Sequence, residues 1–460
     1  MIWFALGMMA VPAGTAQQRG RVPKALELDA QIVDAVKDVS PARVKASIEK
    51  LVSFHNRSTL SAVDAAAIAK KRGIGAAREW IRSEFERYAR DCDGCLKVEM
   101  QSFTVGPPAR RIPKPTEIVN VIATLEGTDP ANASRIYVVS GHYDSRNSDN
   151  DNVNDAAPGA NDDASGTAVA LECARVLSKH KFPATIVFIA FAGEEQGLYG
   201  SAHYAAGAKS AKLDIEAVLN NDIVGGNRTP GDRTQQPQWV RVFSEGVPTA
   251  ATPDEIKLIR ATGMEDDSPS RELARYIRDV AQLYVPGFEP KLVSRPDRYL
   301  RGGDHLSFND RGFAAVRLTE YREDYNHQHQ TPRVEKGVEY GDLPKFVDFA
   351  YVANVARLNA ATLGSLASAP APPANVRLVT RNLENDSMLT WSASPGSLAT
   401  RYEVLWRPTT DTDWPPQNVE AVGNVTQATL KRSKDNVVFA VRAVDAKDHR
   451  STAVVPLPER

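Results

Sequence analysis

Residues 185–191 read Thr-Ile-Val-Phe-Ile-Ala-Phe, seven positions without a charge and without alternation between apolar and polar. A strand that is apolar on both sides must be covered on both sides, which is the situation of a central strand in a sheet flanked by helices. The neighbouring segments agree. Ile136–Ser140 reads as a second strand, Ala217–Asn220 as a third and Ala314–Thr319 as a fourth. Between them the apolar spacing shifts to a helical period over 164–179, 199–206 and 268–283. Strands that alternate with helices predict an α/β fold with a mostly parallel central sheet flanked by helices. Upstream, 28–90 reads as helical, with Ser40-Pro41 as a start signal. Residues 225–262 and 285–303 are rich in Gly, Pro and polar residues and read as long loops.

The two ends of the chain have a different texture. Ile2–Val11 is apolar but shorter than the ~20 residues a membrane span needs. Small residues at Gly14 and Ala16 follow it, so 1–16 is expected to be a signal peptide and the protein secreted or periplasmic. A domain is expected over 17–363, an Ala/Pro-rich linker over 364–374 and a small all-β, immunoglobulin-like sandwich over 375–460. Cys92 and Cys95 sit in Cys-Asp-Gly-Cys with no second such pair, which predicts a short structural disulfide; Cys173 falls on the apolar face of a helix and reads as inert core. With 56 basic and 57 acidic residues, the chain offers no electrostatic reason to bind nucleic acid, and no other stretch is apolar enough to span a membrane.

Ionisable residues gather where the expected strands end. His142 and Asp144 follow the first, and Asp162 and Asp163 precede the next helix. Glu194 and Glu195 follow the apolar strand, Asp222 closes the next, and Glu320, His327 and His329 follow the last. Ligands of open α/β sheets bind beyond the carboxyl ends of the strands. Mixed imidazole and carboxylate donors suit zinc, and cobalt or manganese would also fit. Two imidazoles and three carboxylates exceed the needs of one tetrahedral ion and suffice for two ions that share a bridging carboxylate. In the Glu-Glu pair, one carboxylate can ligate while its neighbour acts as general base. Asp163 could bridge in place of Asp162, and Asn-Asp-Asp-Ala-Ser-Gly alone would read as a helix cap.

The motifs His-x-Asp, Gly-Ala-x-Asp-x-x-Ser-Gly, Glu-Glu-x-Gly-x-x-Gly-Ser, Asn-x-Asp and a late His occur in that order over about 40–360. Together they resemble the dizinc aminopeptidase family of clan MH, which also includes glutamate carboxypeptidase and glutaminyl cyclase relatives. The resemblance implies a phosphorylase/hydrolase-like exopeptidase fold and two Zn2+. One ion would take His142 and Asp222, the other Glu195 and a late His, with Asp162 bridging. Glu194 would be the general base acting on a metal-bridging water, and Asp144 would orient His142. Asp304-His305-Leu-Ser-Phe308 resembles a family segment that lies near the site without ligating. The late His departs from the commoner His-Thr-x-x-Asp pattern; His329 is favoured over His327 because Gln-Thr-Pro follows it. His203 reads as a helix-surface residue.

The expected reaction is removal of N-terminal residues from peptides with a free α-amine. A carboxypeptidase or dipeptidase would need a cationic clamp, and Arg146, Arg301, Arg317, Arg322 and Arg333 read as ordinary surface residues. The complete ligand set argues against glutaminyl-cyclase-like acyl transfer and against a catalytically dead binding protein. Pro372-Pro373-Ala-Asn-Val376, Trp391, Tyr402 and Phe439 resemble core positions of a fibronectin type III domain, a module expected to bind a surface or a protein partner.

Overall fold

The computed structural model describes residues 28–381 and 383–459; the expected signal peptide lies outside the described residues. Helices α1 (Ala30–Asp38), α2 (Pro41–Val52), α3 (Ala65–Ala69) and α4 (Gly73–Asp91) come first. Asp29 and Ser40 cap the first two by accepting from Gln31 N and Arg43 N. Strands β1 (Leu96–Val105), β2 (Thr116–Leu125) and β3 (Arg135–His142) follow, then α5 (Ala164–Leu177) and β4 (Thr185–Phe191). Next come α6 (Glu194–Gly197), α7 (Tyr199–Ser210), β5 (Asp214–Asn221), β6 (Trp239–Ser244), α8 (Pro253–Thr262), α9 (Pro269–Tyr284) and β7 (Glu289–Val293). The series closes with α10 (His305–Asn309), β8 (Ala315–Glu320) and α11 (Phe349–Ser368).

The eight strands form one sheet in the order β1-β2-β4-β3-β5-β8-β6-β7. Its centre, β4-β3-β5-β8, is parallel throughout. Antiparallel pairs join β2 to β4 and β8 to β6. Period-two alternation splits each central strand between two cores. Ile186, Phe188 and Ala190 face the core shared with α2, α4, α5 and α11, whereas Val187, Ile189 and Phe191 face the one shared with α7 and α10. All seven residues of β4 are buried. Burying an aliphatic or aromatic side chain contributes about 1.5–3 kcal/mol, so this strand alone fixes both helix layers.

Two expectations change. The stretches read as loops contain β6 and α8 in the first and β7 in the second. Helix α8 has no buried residue, hence no apolar stripe; only its Thr252/Glu255 capping box marks it. The expected linker also begins too early, because Gly364–Ser368 form the last turns of α11 and Ala369, Pro370 and Ala371 remain buried. That helix is buried on most sides, so its sequence lacks the polar face that would announce a helix.

After it, strands Ala374–Val379, Ser387–Ser392, Gln427–Leu430 and Leu457–Glu459 form one sheet, and Arg401–Pro408, Val419–Gly423 and Val437–Val444 form another. Leu389, Trp391, Val404, Phe439 and Val441 pack between the two sheets. This β-module is fastened to the larger domain. Arg407 pairs with Asp267 at 2.7 Å, both buried, and Trp414 Nε1 donates to Glu272 at 2.9 Å. His449 bridges Asp445 and Asp29 at 2.8 and 3.0 Å. Cys92 and Cys95 are disulfide-bonded, Cys173 is buried, and among the described residues no helix is long and apolar enough to cross a membrane.

Candidate metal centre

The parallel strands all end on one edge of the sheet, and the ionisable residues stand there. His142 is the last residue of β3, Glu194 and Glu195 open α6 just beyond β4, and Asp222 follows β5. Asp162 lies in the turn before α5, and His329 in the segment after β8.

The side chains converge in two groups. His142 Nε2 lies 3.2 Å from Asp162 Oδ1, 3.9 Å from Glu194 Oε2 and 3.9 Å from Asp222 Oδ1. His329 Nε2 lies 2.7 Å from Asp162 Oδ2 and 3.2 Å from Glu195 Oε1. The triads His142–Glu194–Asp222 and Asp162–Glu195–His329 could each hold an ion. Asp162 touches both groups, one oxygen each. Donor chemistry and number fit zinc. The buried Nε2 of His142 and Oε1 of Glu195 have no aligned hydrogen-bond partner, as expected of atoms reserved for a cation.

Electrostatics say the same. Burial alone would lower the pKa of His142, but Glu194, Asp144 and Asp162 outweigh it and raise it well above the usual histidine range. Burial is likewise overcome at His329, where Glu195 and Asp162 push the pKa up to about 10. Glu194 is raised by burial and by the nearby Asp222 and Glu195 carboxylates, against His142. Protons are thus held where the carboxylates crowd, which is where metal cations would replace them.

The remaining expected residues surround this cluster. Asp144 Oδ1 is 3.4 Å from His142 Nδ1, and its Oδ2 accepts from Thr59 Oγ1 at 2.9 Å and from Glu195 N at 3.2 Å. Asp163 points inward instead: it accepts from His142 N and Gly166 N and caps α5. His327 stacks on Phe346 at 3.6 Å, away from the triads. Glu320 is buried against Asn161 and Asn227 N. His305 contacts Pro296 O at 2.8 Å, while Asp304 is buried, its pKa raised to about 7 by burial. His203 is exposed and stacks on Phe103.

Several supporting residues were not legible. Arg317, expected at the surface, is fully buried, with Nη2 2.9 Å from Asp222 Oδ1 and Nη1 3.1 Å from Asp297. A lone Arg in Ala-Val-Arg-Leu-Thr was the available signal, because a cation in a central strand needs a buried partner. Arg57, also fully buried, donates to the carbonyls of Tyr143, Pro158 and Gly159. Asp342 accepts from the amides of Asn161 and Asp162 at 2.8 and 2.7 Å. Neither of the last two belongs to a local motif. Arg111 also reaches the site, donating from Nη1 to Glu195 O at 2.8 Å.

Comparison with known proteins agrees with this edge. Residues 120–332 match Peptidase family M28. A probable zinc metalloprotease of Leptosphaeria maculans is 45% identical over 429 residues, covering 93% of this chain and 97% of that protein. One from Pyricularia oryzae is 47% identical over 446 residues, covering 95% and 87%. The LapA aminopeptidase of Legionella pneumophila superimposes with a TM-score of 0.50 at 21% identity, covering 77% of this chain and 79% of that one, a likeness of fold.

Proposed function

The chain belongs to peptidase family M28, a zinc metalloprotease by its relatives, and from that premise we propose that it is a two-zinc aminopeptidase. The observation that carries this reading is the placement of Asp162, with one oxygen against His142 and the other against His329. In this reading His142 and Asp222 hold one ion, Glu195 and His329 the other, and Asp162 both.

Bound zinc would supply Lewis acidity toward the scissile carbonyl and lower the pKa of water. The rest falls to side chains. Glu194, half-buried beside the cluster, takes the proton of the attacking water at its carboxylate and delivers it to the leaving amine. Asp144 fixes the His142 ring through Nδ1, 3.4 Å away. Arg317 holds Asp222 in place from behind. Surplus carboxylate charge favours a substrate ammonium near the carbonyl. The Cys92–Cys95 disulfide supports an exported location, and the two-sheet module supports a fibronectin type III assignment, with a surface or protein partner as its ligand.

The test is hydrolysis of leucyl and alanyl p-nitroanilides against their N-acetyl forms. Only the free amines should be cut. Equal rates on blocked and free substrates would overturn aminopeptidase action and leave the metal centre standing.

A further inference from the structure

We propose that Arg111 and Arg146, with Arg110 beside them, form a carboxylate-binding rim at the mouth of this site, so that favoured substrates carry a carboxylate one or two residues beyond the cleaved bond. The inference rests on the exopeptidase reading and adds a second recognition element to it.

The β1–β2 connection, residues 106–115, folds back over the catalytic edge and is pinned there. Arg111 Nη1 donates to Glu195 O at 2.8 Å, Tyr199 Oη donates to Arg110 O at 2.8 Å, and Ile112 is buried between these ties. Arg111 takes φ 56°, the left-handed region that a side-chain-bearing residue adopts at a cost. Arg146 arrives from another element, two residues past Asp144.

Among the described residues, the polar contacts of both guanidinium groups are backbone oxygens: Glu195 O for Arg111 and Asn147 O for Arg146. The other arginines near the motifs differ. Arg301 pairs with Glu323, Arg317 with Asp222 and Asp297, Arg322 with Asp232, and Arg333 with Glu335. The rim cations are close enough to repel one another. After burial, Arg110 and Arg146 are the main influences that lower the Arg111 pKa, opposed by Glu195 and Glu194. An anion placed among them would relieve that repulsion.

Guanidinium is the side chain whose planar fork matches a carboxylate. Arg111 touches the backbone of Glu195, whose own carboxylate is in the His329 triad. An extended peptide advances ~3.3–3.6 Å per residue, so a carboxylate one or two residues from the carbonyl comes within reach. Two sources share this chemistry: the α-carboxylate of a di- or tripeptide, or an Asp or Glu side chain in a longer one.

The experiment uses the zinc-loaded full-length chain and four peptides: Ala-Ala, Ala-Ala-amide, Ala-Glu-amide and N-acetyl-Ala-Ala. Amidation of Ala-Ala should raise KM by about tenfold to a hundredfold with a smaller change in kcat, the range of a lost charge-assisted hydrogen bond. In Arg146→Gln and Arg111→Gln the acid-to-amide ratio of kcat/KM should fall toward one, and Arg111→Lys should restore it only in part. A low KM for Ala-Glu-amide assigns the side-chain source; a high one assigns the α-carboxylate. Equal KM for Ala-Ala, Ala-Ala-amide and Ala-Glu-amide in the unaltered enzyme would overturn the rim. So would variants that slow acid and amide equally, which would make Arg111 and Arg146 props of the loop. Cleavage of N-acetyl-Ala-Ala would overturn aminopeptidase action alone, since the acid-to-amide comparison stands without it.

Discussion

Zinc uptake should be a proton-exchange reaction, and its size follows from the two imidazoles. A histidine must be neutral to ligate. The pKa of His329 is pushed up to about 10, so at pH 7 its protonated form exceeds the neutral one by on the order of 10³ in the metal-free protein. His142 is shifted in the same direction. Each proton displaced makes affinity rise about tenfold per pH unit, so two give about a hundredfold per unit between pH 6 and 8. Chelator competition across that range measures the slope, and calorimetry in buffers of different ionisation enthalpy counts the protons released. His329→Ala should lower the slope by one proton and lose one ion, whereas His327→Ala, altering a ring stacked on Phe346, should change neither. The sign for metal-free stability is opposite. A pKa raised on folding stabilises fully below the unfolded value of about 6.5, and that contribution is lost as pH rises through about 10. Zinc affinity that is flat from pH 6 to 8 would refute the reasoning, because it would mean the imidazoles are already neutral before metal arrives.

Two further outcomes are expected. Glu194→Gln should retain both zinc equivalents while kcat falls ~10²–10⁴-fold, the usual worth of a general base; zinc lost together with activity would make Glu194 a ligand, as its 3.9 Å approach to His142 also permits. Arg407→Met should cost about 3–5 kcal/mol in denaturant unfolding, because it strands Asp267 in the interface, and Asp267→Leu in the same chain should recover most of it. A single-variant cost below about 1 kcal/mol would mean that water reaches the pair.

What the sequence disclosed depended on locality. The central strands were legible because burial on both faces leaves no polar residue in Ile-Val-Phe-Ile-Ala, and the ligands because each follows its strand within a residue or three. The outer strand β6 carries Val240 and Val242 inward in simple alternation, but its Gly- and Gln-rich lead-in concealed it. Helix α11 was missed for the opposite reason, since a helix buried on most sides has no amphipathic period, and the same property turned Gly364–Ser368 into an apparent linker. His329 could be preferred over His327 from the residues that follow it, yet the stacking of His327 on Phe346 is a contact between distant segments. Arg57, Asp342 and the pairing of Arg407 with Asp267 have no local signature, because each is defined by partners far away in the chain.

Those long-range groups decide how the centre can work. The ligand set comes from five separate stretches, and a cluster of carboxylates opposes its own assembly. Three fixed groups counter that tendency without occupying a ligand position. Arg317 sets the position of Asp222 through a 2.9 Å pair and is itself held by Asp297. Arg57 directs its donors to the carbonyls of Tyr143, Pro158 and Gly159, which fixes the connection between His142 and Asp162 and places a buried positive charge beneath it. Asp342 accepts from the amides of Asn161 and Asp162, so the bridging residue is held from its main chain and its carboxylate stays free. A centre anchored in this way exists before metal arrives, unlike a small zinc domain whose folding depends on the ion. Metal binding energy then goes into displacing protons from His142 and His329 and not into ordering the chain, because the ordering has already been supplied by the helix layers on both faces of the sheet.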